Sequence, residues 1–289
     1  MQLFTEASEL ARSAINLDAN NSEAWSVLGT ISAVFERNWE RAREQLQHSV
    51  QIHPNDASNL NLYGDFLYNV GDFVGAIEIE GRAAELEPLS AVNQHELALV
   101  HSMRGEFGQA IALEKLAMEL NPEFKNAWST LARIYLADGR DDDLEALLQS
   151  DEERFSTSFQ PYLQARRALR NSNEVALISA VDQLRASVEN ENVSAIALAY
   201  LYAELGNDEQ AAKWVEYAQS KRDPILLSPM YFFLPEDWPE LPATRAALSQ
   251  SGLDSIYDFR RQYIAAGRGR KQSFGMNFQR YKTHKNSPL

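Results

Sequence analysis

The chain has 289 residues, 45% of them hydrophobic and 10% aromatic, which is enough for a substantial buried core and argues against intrinsic disorder. It contains no cysteine, so disulfides, thiolate metal sites and cysteine nucleophiles are excluded. The formal charge is -14, unevenly divided: residues 267–289 carry six Lys or Arg and no acid, which leaves 21 basic against 41 acidic residues, a net -20, in residues 1–266. So acidic a body repels a phosphate backbone and favours basic or neutral partners.

The first residues, MQLFTEASEL, carry two Glu and no basic start ahead of an apolar run, so they do not read as a secretory signal. The best apolar candidate, SAIALAYLYAEL at 194–205, is about 12 residues long, too short for a bilayer and suited to a buried helix. No membrane association is expected, and the chain reads as cytoplasmic.

In chain order, ASELARSAINLDAN reads as the second helix of a hairpin whose first helix is absent, with Ala7, Ala14 and Ala19 on the small and closing positions. Such a half unit is expected to follow a preceding segment or to be covered in a homo-oligomer, because terminal repeats need a polar cap. Pro54, Pro88 and Pro122 then follow one another at 34-residue steps. Ala42, Ala76 and Ala110 stand twelve residues before them, and Ser49, Ala83 and Ala117 five before. Each unit has two helical patterns about a turn, at Gly71-Asp72, Gly105-Glu106, Gly139-Arg140 and Gly206-Asn207, where glycine can end the first helix.

These residues resemble the tetratricopeptide repeat family, whose first helix wants a bulky residue, Leu, a small residue and an aromatic. Trp25, Leu28 and Gly29 match, as do Leu60, Tyr63, Gly64 and Leu67, then Leu97 and Ala98. Trp128, Leu131, Ala132 and Tyr135 match again, followed by Leu198, Ala199 and Tyr202. On the second helix the small residue recurs at Ala42, Ala76, Ala110 and Ala211. The pattern departs from the family at an extra residue near FERNWERA and at Leu144, which stands where Ala is expected in a unit without a closing Pro.

The resemblance implies an all-α, right-handed superhelix of helical hairpins with a C-terminal helical cap. Its expected parts are a half repeat at 4–20, repeats at 22–55, 56–89, 90–123 and 124–155, a degenerate hairpin at 160–190 and a repeat at 192–224. The run from FERNWERA to SAVNQ, with Trp39 and the LEPLS phrase, is also similar to the repeats that follow a winged-helix or adenylate cyclase domain in bacterial signalling proteins. PELPATRAALSQSGLD is similar to the short helix that finishes such proteins.

Beyond Asp223-Pro224, a Pro- and aromatic-rich segment is expected to pack over the open end of the stack. Residues 243–266 should then form one or two helices that bury Leu248, Leu253, Ile256, Phe259 and Tyr263. Together 225–266 form a C-terminal packing segment. The basic tail at 267–289 has too few aliphatic residues for a core and is expected to be disordered unless bound.

Catalytic and metal signatures are weak. The two His of HELALVH are six residues apart, about 120° around a helix rather than on one face, which suits a groove-lining His95 and a packing His101 better than a metal site. Asp141, Asp142 and Asp143 lack the alternating spacing of a calcium loop and suit the start of a helix. There is no GxSxG, no GxxxxGK[ST] and no GxGxxG after a strand. No catalytic residue, metal or cofactor is therefore expected.

If the hairpins stack with a steady rotation, their first helices line a groove. Its lining is expected from Ser26, Thr30 and Val34, then Asn61, Asp65, Tyr68 and Asn69. His95, Leu99, Ser102 and Met103 follow, and then Ser129, Arg133 and Leu136. The Lys and Asn with which chaperone-binding members of the family clamp a terminal carboxylate are missing, replaced by Ser26, Asn61, His95 and Ser129 and by Thr30, Asp65, Leu99 and Arg133. The functional reading is a non-catalytic module that binds a protein or peptide in this groove, as the regulatory part of a bacterial signalling or transcription regulator. Alternatives are a free-standing scaffold or homo-oligomer joined through the N-terminal half repeat. A nucleic-acid adaptor working through Phe274, Phe278, Tyr281 and the tail cations is disfavoured by the few charges available.

Overall fold

A computed structural model describes residues 2–150, 155, 159–191, 194–221, 223, 241–250 and 252–268. The expectation for the Pro- and aromatic-rich segment falls outside the described residues, as does that for all of the basic tail after Arg268.

The described residues form fifteen helices and no strand. A single helix α1 (Gln2–Leu17) precedes three hairpins: α2 (Ser22–Val34) with α3 (Trp39–Ile52), α4 (Ala57–Asn69) with α5 (Phe73–Leu86), and α6 (Ala91–Met103) with α7 (Phe107–Leu120). Then come α8 (Lys125–Asp138) with α9 (Asp141–Ser150), α10 (Phe159–Arg170) with α11 (Glu174–Glu191), and α12 (Ile196–Glu204) with α13 (Asp208–Ser220). Two further helices are α14 (Pro242–Ser249) and α15 (Ser255–Ala265). None is long and apolar enough to cross a membrane.

Local chemistry explains the boundaries. The side chains of Asn21, Asn38, Asp56, Asp72, Ser90 and Asn207 accept from backbone N–H groups in the first turns of α2, α3, α4, α5, α6 and α13, satisfying donors that a helix start leaves open. At the hairpin turns Gly71, Gly105, Gly139 and Gly206 take the left-handed conformation. Two hairpins lack that glycine and bend instead at Arg37 (φ 54°) and Ser172 (φ 53°); Arg37 lies in the run that carries the extra residue.

Close helix pairing depends on the small residues. Ala42, Ala76, Ala110 and Ala211 are fully buried. A Cβ on Gly29 would lie 2.6 Å from the Leu46 side chain, so α2 and α3 could not approach as they do.

The chain divides into two compact units. Among the described residues the first comprises 2–121 and 252–268, and the second 122–223 and 241–250. The two C-terminal helices therefore belong to different units. In the second unit, α14 packs on α13: the backbone N–H groups of Ala243 and Thr244 and the Thr244 hydroxyl all donate to the Asp208 carboxylate at 2.8 Å.

In the first unit, α15 clasps the turn between α4 and α5. Arg260, 1% exposed, donates from Nε (2.9 Å) and Nη2 (2.7 Å) to the carbonyl of Asn69, the last residue of α4. There a guanidinium meets both a carbonyl of the last helical turn and the negative end of the helix dipole. Arg268, counted with the tail in the sequence, grips Asp72 through Nε (2.7 Å) and Nη2 (3.0 Å). Trp39 donates to the Ser255 hydroxyl at 2.9 Å, and Phe66 meets Phe259 edge-on. Leu253, Ile256 and Tyr263 are buried here, and Leu248 of α14 is buried in the second unit.

Candidate protein-binding groove

The first helices of the first unit are α2, α4 and α6, and the groove-lining residues predicted from sequence fall on them. Ser26 and Ser102 are buried and donate back to Glu23 and Leu99 carbonyls of their own helices, at 2.8 and 2.7 Å. Thr30 does likewise to Ser26, and Asn69 to Asp65. Such local bonds use up short polar side chains. Val34, Tyr68, Asn69 and His95 are buried as well. Part-open surface is kept by Thr30, Asn61, Asp65, Leu99 and Met103. In the second unit α8 carries Ser129, half-buried, Leu136, buried, and Arg133, exposed, whose Nη2 donates to Thr130 at 2.9 Å.

His95 is held inside the helix pair. Its Nδ1 lies 3.0 and 3.1 Å from the two carboxylate oxygens of Glu114 on α7, which is fully buried. His101 pairs separately with Glu106 at 2.7 Å, so the two histidines of HELALVH serve different carboxylates. Asp141 and Asp143, at the start of α9, pair with arginines: Arg170 with Asp141, and Arg140 with Asp143 at 2.6 Å.

Asp65, a predicted lining residue, belongs to a group of acids whose other members, Glu80 and Glu96, are not among the residues expected from sequence. Asp65 of α4 and Glu96 of α6 lie close enough for each carboxyl to perturb the other. Glu80 of α5 is fully buried, and neither of its carboxylate oxygens has a hydrogen-bond partner. Burial holds the Asp65 carboxyl well above its ordinary value, reinforced by Glu96 and Glu80. Burial raises Glu80 too, with Glu96 adding to it. Glu96 is also raised by burial, against the opposing pull of His95 and Asp65. Burial and mutual repulsion thus both favour the protonated forms within this group.

The signal for Glu80 was present in the repeat register. Eight residues before each closing proline stand Leu46, Glu80 and Glu114, all fully buried. The position is thus a core position, and a Glu there is a buried Glu.

No family model and no curated protein matches this chain. Solved structures do. One, PilW, described as a widely conserved type IV pilus biogenesis factor, matches 65% of this chain and 88% of its own, at 23% identity and a TM-score of 0.56. Another, from a functional characterisation of Pseudomonas aeruginosa pilF, matches 65% of this chain and 86% of its own, at 18% identity and a TM-score of 0.54. The fold is tetratricopeptide-like. At these identities the likeness extends to the fold and no further.

Proposed function

We propose that this chain is a non-catalytic, cytoplasmic protein-interaction module that holds a segment of a partner protein against its first helices. The observation that carries this reading is the part-open surface of Asn61, Asp65 and Leu99 on α4 and α6, a mixed polar and apolar strip on a repeat fold. Polar side chains of this kind fix the register of a bound peptide, and Leu99 offers it apolar contact. As a setting we propose the regulatory part of a bacterial signalling or transcription regulator, on the strength of the likeness carried by FERNWERA, Trp39 and LEPLS.

The test is affinity capture with the full chain beside a Leu99→Glu variant of equal helicity. The reading expects a partner retained by the parent and lost by the variant. The same set of proteins captured by both forms would remove it.

A second reading, self-association, is favoured by one face of α1. Leu3, Leu10 and Leu17 repeat at seven-residue steps and are 79%, 72% and 90% exposed, while Ala11 on the inner face is buried against Ala24 and Leu28. The exposed charges beside this stripe are self-complementary: Glu6 and Glu9 precede Leu10, and Arg12 follows it. A second copy of α1, antiparallel and crossing at Leu10, brings Leu3 beside Leu17 and each Arg12 toward the acids of the other copy, as two-fold symmetry requires.

A further inference from the structure

Repeats two and three of the first unit solve the same problem differently. Both place a fully buried Glu eight residues before the closing proline. In the third repeat Glu114 is partnered by His95. The residue 34 positions before His95 is Asn61, and its side chain turns elsewhere, donating from Nδ2 to Asn93 Oδ1 at 2.9 Å. Glu80 is left without a partner, and so is the buried Oδ1 of Asn61. Room for the Glu80 carboxyl comes from Gly64, where a Cβ would lie 1.8 Å from Oε1; the matching residue of the third repeat is Ala98. An apolar solution exists in the same fold, since the first repeat fills this place with Leu46.

A buried carboxyl with no donor is costly, and a cation removes that cost. In repeat two the register puts Asn61 at the place of His95, one helical turn before Asp65, and Asp65 and Glu96 lie near enough to Glu80 for the acids to act on one another; Asn61, Asp65 and Glu96 are all part-open. We infer that this place in repeat two is a binding pocket for the cationic side chain of an Arg or Lys in a partner peptide, held by Asp65 and Glu96 with Glu80 as the buried counter-charge and Asn61 Oδ1 as a further acceptor. The inference rests on the groove reading and supplies its ligand chemistry. It also agrees with a body of net charge -20, which draws basic segments toward it.

The probes are capped Gly-Gly-Arg-Gly-Gly, its Lys counterpart and its neutral citrulline counterpart, titrated calorimetrically into the full chain at physiological salt. The Arg or Lys peptide should bind at least about tenfold more tightly than citrulline, the scale of one charge-assisted hydrogen bond. Because a cation favours the ionised acids, binding should release protons, so its heat should differ between buffers of different ionisation enthalpy, and its affinity should rise with pH. The decisive variant is Asn61→His, which supplies Glu80 with an internal partner as His95 does Glu114. It should raise Tm and weaken the cationic peptide at least about tenfold. Glu44→Gln, Glu85→Gln, Glu119→Gln, which removes three exposed acids from the second helices, should bind as the parent does.

Equal binding by Asn61→His, equal binding of citrulline, no binding of any peptide, or an equal loss in the exposed-acid variant would each overturn the pocket. Should Asn61→His not fold, Asp65→Asn with Glu96→Gln must show the same loss. A partner captured through Leu99 but indifferent to these substitutions would remove the pocket and leave the groove reading standing. Cation binding without Leu99-dependent capture would do the reverse.

Discussion

Glu80 occupies the place that Leu46 takes one repeat earlier, and it does so without a hydrogen-bond partner. Its carboxyl is held above the ordinary range of about 4.3 by burial and by Glu96. A carboxyl raised in the folded state stabilises the fold relative to its ionised form only while it stays protonated. That stability is fully present below the unfolded value and is lost as pH rises through the folded one. Glu80→Gln keeps the shape and removes the titration. The variant is therefore expected to gain about 1–3 kcal/mol over the parent at pH 8 and to lose most of that advantage at pH 4, read from urea melts at both values. Parallel pH profiles for the two proteins would show that Glu80 is not the titrating group. His95 teaches a related lesson: its position pointed to the groove, yet the acid 19 residues on draws the ring inward. Sequence placed the helix face, and the partner on another helix decided which way the side chain was used.

At the scale of elements, the 34-residue step of Pro54, Pro88 and Pro122 and the turn glycines were legible because each has a local cause, a helix stop or a left-handed turn. The helices that bury Leu248, Leu253 and Ile256 were legible for the same reason. The attachment of α15 to the turn between α4 and α5 was not. It depends on Arg260 reaching Asn69 and Arg268 reaching Asp72, contacts between residues nearly 200 positions apart that leave no periodic trace. At the other end, α1 keeps its three leucines open to solvent. If the proposed pairing of α1 forms, sedimentation equilibrium is expected to show a dimer for the parent and a monomer for Leu10→Glu, with unchanged helicity, since that pairing crosses at Leu10. A monomeric parent would exclude the pairing, and a Leu10→Glu dimer would place the contact elsewhere.

At the largest scale, the hairpins of the first unit present two faces with different chemistry. The second helices bury Ala42, Ala76 and Ala110 and turn residues such as Glu85 and Glu119 to solvent. The first helices of the first unit combine part-open Asn61, Asp65 and Leu99 with buried acids behind them. The helix that carries each of these residues was legible from the repeat register; the inward turn of Ser26, Ser102 and His95 was not, because back-bonding and cross-helix pairing are set by packing distance rather than by spacing. The central claim is that the first-helix face is the working surface. It is tested most directly by placing a photo-crosslinking amino acid in the full chain at Leu99, on α6, or at Glu119, on α7, and irradiating the source cells. A discrete adduct from Leu99 and none from Glu119 is the expected result. Adducts from Glu119 alone, or the same adducts from both, would contradict the account.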